Sequence, residues 1–327
     1  VKKSISIVIP TYKGEELLKK NLPSVITAAK RSEVDFEIII VDDASNDNTI
    51  GFLTQNYPFV KVLQNDNNQG FSPTINKGIK AATKDLVLLL NNDVKLSEDY
   101  FLPQFKYFEK DDTFGVMGKI IGYYDDKIQD GGKYPQYSKL NISGTKNYIV
   151  LEETESWLPS FMLSGANALV NREKLFELGG FNEILAPFYW EDFELSVRAW
   201  RVGWNLYFEP AAICRHENSV TVKSFFKRKK SKTVSDRNKI LTHWMHLDRN
   251  IMPLYDLKLF FKVISSALLG RWGFISAYKK AQERRKNAFH SRKQFEEFAK
   301  NQHSLLSMEQ VNQKILAKIN GKKIEIF

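Results

Sequence analysis

The 327 residues contain a single cysteine, Cys214, so no disulfide can form within the chain and a reducing compartment suits it. Histidine is nearly as scarce, at five residues, and no Cys/His spacing of the zinc-binding kind occurs. The first apolar run is followed by Pro10-Thr11-Tyr12-Lys13-Gly14, which lacks a glycine cluster. That absence argues against a nucleotidyltransferase that would cradle phosphates in a Gly-rich loop. Residues 4–10 read as a short strand without the cleavage pattern of a secretory leader. The most apolar part of the last third, 257–275, is broken by Lys258, Lys262 and Arg271, short of the roughly 20 apolar residues that a spanning helix needs. No internal repeat or low-complexity tract occurs.

Charge is unevenly distributed. Residues 223–327 carry 24 Lys and Arg against 8 Asp and Glu, whereas residues 1–222 carry 24 against 30. Opposite fields in two parts suggest two jobs, one of them contact with something anionic. The basic part has no helix-turn-helix or base-stacking motif, so nucleic acid is not expected as a partner. Its aromatics, among them Phe225, Phe226, Trp244, Phe260, Phe261, Trp272 and Phe274, fall at helix-like spacings. Such spacing more often marks a core.

Residues 1–222 alternate strand and helix patterns. Residues 5–10 form an apolar run, and Leu17, Leu18, Leu22, Val25 and Ile26 follow at helical spacing. Residues 36–41 (FEIIIV) and 85–90 (DLVLLL) are near-continuously apolar, as strands buried on both faces are. Residues 60–63 add a strand and 74–82 a helix. The alternation predicts an α/β fold with a doubly wound, mainly parallel, Rossmann-like sheet, whose ligand site lies beyond the carboxyl ends of its strands. Residues 122–155 show no clear period and read as irregular strands and loops. Helical patterns fill most of the chain from 223 to 319, a basic C-terminal extension.

Three acidic groups fall where such a sheet would gather them. Asp42-Asp43 ends the second strand, where a carboxylate can accept from a base or ribose or can merely cap a turn. Asn91-Asn92-Asp93 ends the fourth strand and offers oxygen donors to a hard divalent cation. Glu191-Asp192 opens a helix, where the macrodipole favours acids and where a carboxylate can also serve as a base. His216 follows the last strand; a lone histidine is more often a structural hydrogen bonder.

The ordered set Ile9-Pro10-Thr11-Tyr12, Val41-Asp42-Asp43-Ala44-Ser45, Asn68-Gln69-Gly70-Phe71, Asn76-Lys77-Gly78, Leu90-Asn91-Asn92-Asp93, Gly179-Gly180-Phe181-Asn182-Glu183 and Trp190-Glu191-Asp192-Phe193-Glu194 resembles family-2 glycosyltransferases of the GT-A fold. The resemblance covers residues 4 to about 217. It implies an inverting transfer of a sugar from a nucleoside-diphosphate donor, UDP or dTDP rather than GDP, to a hydroxyl of a cell-surface glycan or lipid-linked oligosaccharide. By the same resemblance, Pro10, Thr11 and Tyr12 contact the nucleoside, and Asp42 or Asp43 reads base and ribose. Gly70 and Asn76 close over the diphosphate side, Asn92 belongs to the donor site, and Gly165 and Ala166 form a small-residue turn beneath the donor sugar. Asp93, with His216, is implied to hold Mn²⁺ or Mg²⁺. Asp192 is implied as the catalytic base, with Glu191 orienting base or acceptor.

Two departures stand out. Asn91 and Asn92 replace acids common in relatives, which leaves Asp93 alone among carboxylates there. Glu194 stands where aspartate is usual and is expected to pair with Arg198 one turn on. A non-catalytic polyanion-binding protein on a decayed scaffold is the rival from another class, and the intact Asp93, Asp192 and His216 oppose it. The basic region 223–327 is expected to hold the protein against the anionic inner face of a membrane, which would make it cytoplasmic and peripheral; the alternatives are that it packs against the catalytic domain or forms a homodimer.

Overall fold

The computed structural model describes residues 3–152, 157–217, 228–302 and 304–327. Lys223, Lys227, Phe225, Phe226 and the expected boundary at 222/223 lie outside the described residues. The chain opens as β1 (Ile5–Thr11), α1 (Glu15–Arg31), β2 (Phe36–Asp42), α2 (Thr49–Asn56), β3 (Lys61–Gln64), α3 (Phe71–Ala81) and β4 (Leu86–Leu90). There follow β5 (Val94–Leu96), β6 (Thr113–Gly122), β7 (Ile128–Asp130), β8 (Gly132–Ser138), β9 (Asn141–Val150), β10 (Leu158–Pro159) and β11 (Asn167–Asn171). Then come α4 (Arg172–Glu177), α5 (Glu191–Arg201) and β12 (Asn205–His216). The C-terminal part comprises α6 (Arg228–His246), α7 (Met252–Leu268), α8 (Trp272–Glu283), α9 (Arg285–Asn301), α10 (Met308–Ile319) and β13 (Ile324–Ile326).

The main sheet runs β10-β12-β6-β11-β4-β1-β2-β3. β3, β2, β1 and β4 are mutually parallel, while β11 is antiparallel to β4 and β6 on either side of it. Period-two alternation sends the side chains of one strand to two cores. Val8, Ile39 and Val41 join a cluster with α3 and α5, and Ile7, Ile9, Ile38 and Ile40 join one under α1. Gly78 lets α3 lie close on the sheet. A Cβ there would run into Val8 Cγ1 and sit 2.9 Å from Val41 Cγ2.

Residues 122–155, which show no sequence period, contain an ordered antiparallel pair, β8 and β9. Its third strand is β13, from the end of the chain, with Ile324 opposite Val150 and Ile326 opposite Tyr148. A partner that remote explains why the local pattern is weak. The C-terminal helices share the core that holds α3 and α5: Trp244, Met245, Phe295, Val311 and Ile315 are all part of it. Trp244 is fully buried and Phe274 nearly so, whereas Phe260, Phe261 and Trp272 face outward.

Candidate active site

Parallel pairing brings the carboxyl ends of β1, β2 and β4 to one edge, with Thr11 opposite Asp42. The loops leaving that edge bound a cavity of about 310 Å³.

 It is separate from the 390 Å³ cleft, which lies behind the Gly179-Gly180-Phe181 turn. Pro10, Thr11, Tyr12, Asp43, Asn92 and Asp93 form one side of the 310 Å³ cavity. Gly70, Gly165, Ala166, Glu191, Asp192 and His216 form the rest, together with residues 187–189. Twelve of the fourteen site residues read from the sequence therefore meet in one place.

Asp42 and Asn76 do not line it. Asp42 is fully buried and turns back on its own loop, accepting from the Ser45 N–H at 2.9 Å and from the Ser45 hydroxyl. Asn76 holds the Gly179-Gly180-Phe181 turn: its Nδ2 donates to Phe181 O (2.8 Å) and Glu183 Oε1 (2.9 Å), and its Oδ1 accepts from Phe181 N (2.8 Å). Asp43 does face the cavity, and it also ties down the 65–70 loop. Its Oδ1 accepts from Asn65 Nδ2 (2.8 Å) and Gln69 N (2.9 Å), and its Oδ2 from Gly70 N (2.9 Å). Gly70 (φ 88°) has no room for a side chain, since a Cβ would meet Pro187 Cα at 2.6 Å. Asp43→Ala is expected to weaken nucleoside-diphosphate binding by about 1–3 kcal/mol, the worth of a charge-assisted hydrogen bond. Asp42→Ala should leave that affinity unchanged and lower stability instead. Calorimetric titration with the nucleotide separates them, and equal affinities in the two variants would reduce Asp43 to a loop tie.

Asp93 and His216 meet because β5, which starts one residue after Asp93, pairs with the end of β12, placing His216 opposite Val94. Asp93 Oδ1 lies 3.2 Å from His216 Nε2, yet the two are misaligned for a hydrogen bond and neither atom has another partner. Both are buried. A polar atom left unpaired in a protein interior costs free energy, so two of them side by side on one cavity wall make a candidate ligand site. Two donors about 3 Å apart suit adjacent positions on one divalent cation with bonds of about 2.1 Å. Among the described residues no third His, Cys, Asp or Glu joins them. Any further ligands must therefore come from other protein groups, water or the bound substrate.

Glu191 and Asp192 begin α5 on the opposite wall. Glu191 Oε2 is a third buried atom without a partner. Burial, and then the neighbouring charge of Asp192, push the Glu191 carboxyl up to about 8. Burial raises Asp192 as well, but two backbone donors work the other way: Phe193 N at 2.7 Å from Oδ1 and Gly165 N at 3.4 Å from Oδ2. Hydrogen bonds to the charged form favour it, so the pair is suited to one protonated and one ionised carboxyl.

The turn entering α5 is strained, with Tyr189 at φ 74° and Trp190 at φ 78°. Side-chain-bearing residues hold such angles only where their surroundings over-determine them. Here the surroundings come from the C-terminal helices. Asn238 Nδ2 donates to Phe188 O (3.1 Å) and Tyr189 O (2.8 Å), Arg237 to Ala186 O (2.6 Å), and Arg284 to Ile184 O (2.6 Å). Trp190 Nε1 donates to Ser235 Oγ at 3.1 Å. One turn into α5, Glu194 makes the expected ion pair with Arg198 (2.9 Å) and also accepts from His246 Nε2 (3.0 Å). None of these C-terminal supports is visible from a local motif. The available signal is that Arg237, Asn238, Thr242, His243 and His246 put polar groups on the buried side of α6.

The cleft behind residues 179–181 carries several charged groups, but they are already engaged. Arg198 donates to Gly180 O (2.7 Å) as well as to Glu194, and Arg292 bonds Glu296 and Leu247 O. The unpaired buried atoms that point to a ligand are in the other cavity.

A parallel half-sheet of order 3-2-1-4, an Asn-Asn-Asp turn beyond its fourth strand and an acidic pair across the cleft define the GT-A class of α/β fold. The chain belongs to glycosyl transferase family 2, whose sequence profile matches residues 6–179. It is similar to the poly(ribitol-phosphate) beta-glucosyltransferase of Bacillus spizizenii, at 31% identity over 36% of this chain and 19% of that protein. It is also similar to the N-acetylglucosaminyl-diphospho-decaprenol L-rhamnosyltransferase of Mycobacterium tuberculosis, at 24% identity over 66% of this chain and 76% of that protein. The chain thus spans about a fifth of the first relative's length. The crystal structure of GalNAc-T7 with UDP, GalNAc and Mn²⁺ superimposes with a TM-score of 0.68 at 20% identity, over 97% of this chain and 57% of that one. At that identity the likeness speaks for the fold.

Proposed function

We propose that the protein is an inverting glycosyltransferase that moves a sugar from a nucleoside-diphosphate donor, UDP or dTDP in preference to GDP, to a hydroxyl of a surface glycan or lipid-linked acceptor. The observation that carries this reading is the set of three unpaired buried atoms, Asp93 Oδ1, His216 Nε2 and Glu191 Oε2, on the walls of one cavity. The relatives' names supply the acceptor classes, a polyol-phosphate polymer and a lipid diphosphate. The UDP and Mn²⁺ in the GalNAc-T7 structure fit the donor and metal assigned here.

On this reading Pro10, Thr11, Tyr12 and Asp43 hold the nucleoside, and Asn92 fixes the rim by donating to Thr11 Oγ1 at 2.8 Å. Asp93 and His216 would hold Mn²⁺ or Mg²⁺, which when bound stabilises negative charge on the departing diphosphate. Gly165 and Ala166 give the donor sugar a wall without side-chain bulk. Asp192 takes the proton from the acceptor hydroxyl as it attacks the anomeric carbon, and the protonated Glu191 donates a hydrogen bond that orients acceptor or base. One base and one displacement give inversion.

Exhaustive chelation should abolish nucleoside-diphosphate release, and Mn²⁺ or Mg²⁺ should restore it. In the same series, a nucleoside diphosphate should raise the melting temperature with metal present and fail to do so without it. Asp93→Asn should need at least about tenfold more metal for half-activation, the loss of one charged ligand costing roughly 1.4 kcal/mol or more. Full turnover in the chelated protein would remove the metal from the mechanism. Failure of every sugar nucleotide tried to release a diphosphate would overturn transfer itself.

A further inference from the structure

The exposed face of α7 carries an apolar stripe that nothing in the proposed reaction uses. Leu254, Leu257, Phe261, Ile264 and Leu268 recur at spacings of three and four, and all are exposed. The opposite face of the helix, with Tyr255 and Leu259, is buried against the core. Leu269 and Trp272 continue the patch beyond the helix end, Trp272 with 69% of its surface open. Scattered exposed apolar residues are ordinary, whereas a continuous helical row of them marks a contact surface.

Charge identifies what that surface meets. Lys258 and Lys262 follow Leu257 and Phe261 by one position, so they flank the stripe along one side. Lys232, Lys258 and Arg271 all add to the positive field at Lys262, and Lys258 and Lys262 to that at Lys239. Asp236 is the acid facing both. Half-burial, together with this crowding of cations, lowers the proton affinity of Lys239 and Lys262. A second copy of the chain would bring the same cations to the seam; an anionic surface neutralises them. The helix is 17 residues long, about 25 Å at 1.5 Å per residue. Among the described residues no helix is long and apolar enough to cross a membrane.

We propose that α7 and the Trp272 turn seat the protein on an anionic lipid bilayer, with the Leu254–Leu268 stripe in the interface and Lys258, Lys262 and Arg271 at headgroup level. Such a helix lies in the plane of the surface, apolar side chains entering the acyl boundary and basic ones reaching back to lipid phosphates. The seat is linked through α6 to the turn that enters α5. Lys239 Nζ lies 5.7 Å from the ring centroid of Trp190, the residue before Glu191, and Ser235 on the same helix bonds that ring. Docking in this way would hold the acceptor wall of the cavity near the bilayer. The proposal goes beyond glycosyl transfer, and its test contains neither donor nor acceptor, so either reading can fail alone.

The test is co-sedimentation of the full chain with phosphatidylglycerol vesicles, with phosphatidylcholine vesicles as the neutral comparison. The protein should bind the anionic vesicles at low salt, bind the neutral ones far less, and release as salt screens the charges. Lys258→Gln with Lys262→Gln should weaken binding roughly 25-fold, about fivefold for each charge removed. Leu257→Ser, Phe261→Ser and Leu268→Ser together should abolish it with the melting temperature kept, because all three side chains are exposed. Absence of binding at low salt, or undiminished binding by the triple variant, would overturn the proposal. A dimer of the free protein in sedimentation velocity that the triple variant dissolves would assign the face to a second copy and overturn it equally.

Discussion

Asp192→Asn is expected to slow transfer by about 10²–10⁴-fold, the usual worth of a general base, while nucleoside-diphosphate affinity stays within about threefold of wild type. The substitution keeps the volume of the side chain and one carbonyl oxygen to accept from Phe193 N, so the start of α5 should keep its place. What it removes is the ability to take a proton. Glu191→Gln should cost less, because a neutral amide still donates a hydrogen bond from the position of the protonated carboxyl. The pH profile separates the roles: if Asp192 must be ionised, the acid limb of the wild-type profile disappears in Asp192→Asn along with most of the rate. Steady-state rates and calorimetric titration of the donor diphosphate, run on the same preparations, give both quantities. Affinity falling in step with rate would make Asp192 a binding residue.

The strands that carry the site were legible because each is a short, nearly unbroken apolar run ended by polar residues. β1, β2 and β4 are of this kind, and their ends deliver Thr11, Asp43 and Asp93 to one rim. Asp42 and Asn76 show the limit of that reading. In a two-residue acidic turn the choice of which carboxylate faces the cavity depends on side-chain direction, and Ser45 turns Asp42 away by engaging it. Asn76 lies on α3, and its partners Phe181 and Glu183 are about a hundred positions away. β8 and β9 were obscure for the same reason, since their sheet is completed by β13. The support of the α5 turn by Asn238 and Arg284 was hidden more completely. A side chain that donates to backbone carbonyls leaves no complementary residue type in the partner segment.

Glu194→Ala is expected to destabilise the fold by roughly 3–5 kcal/mol, the cost of breaking a buried ion pair by removing one member. Glu194 and Arg198 are both buried, and the change leaves the guanidinium with only the carbonyls of Leu178 and Gly180. It also leaves His246 Nε2 without an acceptor. Although burial alone would raise it, Arg198 and His246 hold the Glu194 carboxyl down to about 2. Burial lowers His246 to about 4, which keeps its ring neutral. Both shifts act in the same direction with pH. A carboxyl with a depressed folded pKa stabilises above its unfolded value near 4.5 and loses that contribution as pH falls toward 2. A histidine buried neutral loses stability as pH falls from about 6.5, where the unfolded chain takes up the proton, down to about 4. Wild-type stability should therefore decline below about pH 6.5, and the Glu194 part of the slope should vanish in the variant. Replacing both partners, Glu194→Leu with Arg198→Met, should recover much of the loss, because two apolar side chains leave no buried charge unpaired. Urea unfolding at several pH values measures all three proteins. A loss below about 1 kcal/mol in Glu194→Ala would show that water reaches Arg198 and that the contact between α5 and the C-terminal helices is held by apolar packing alone.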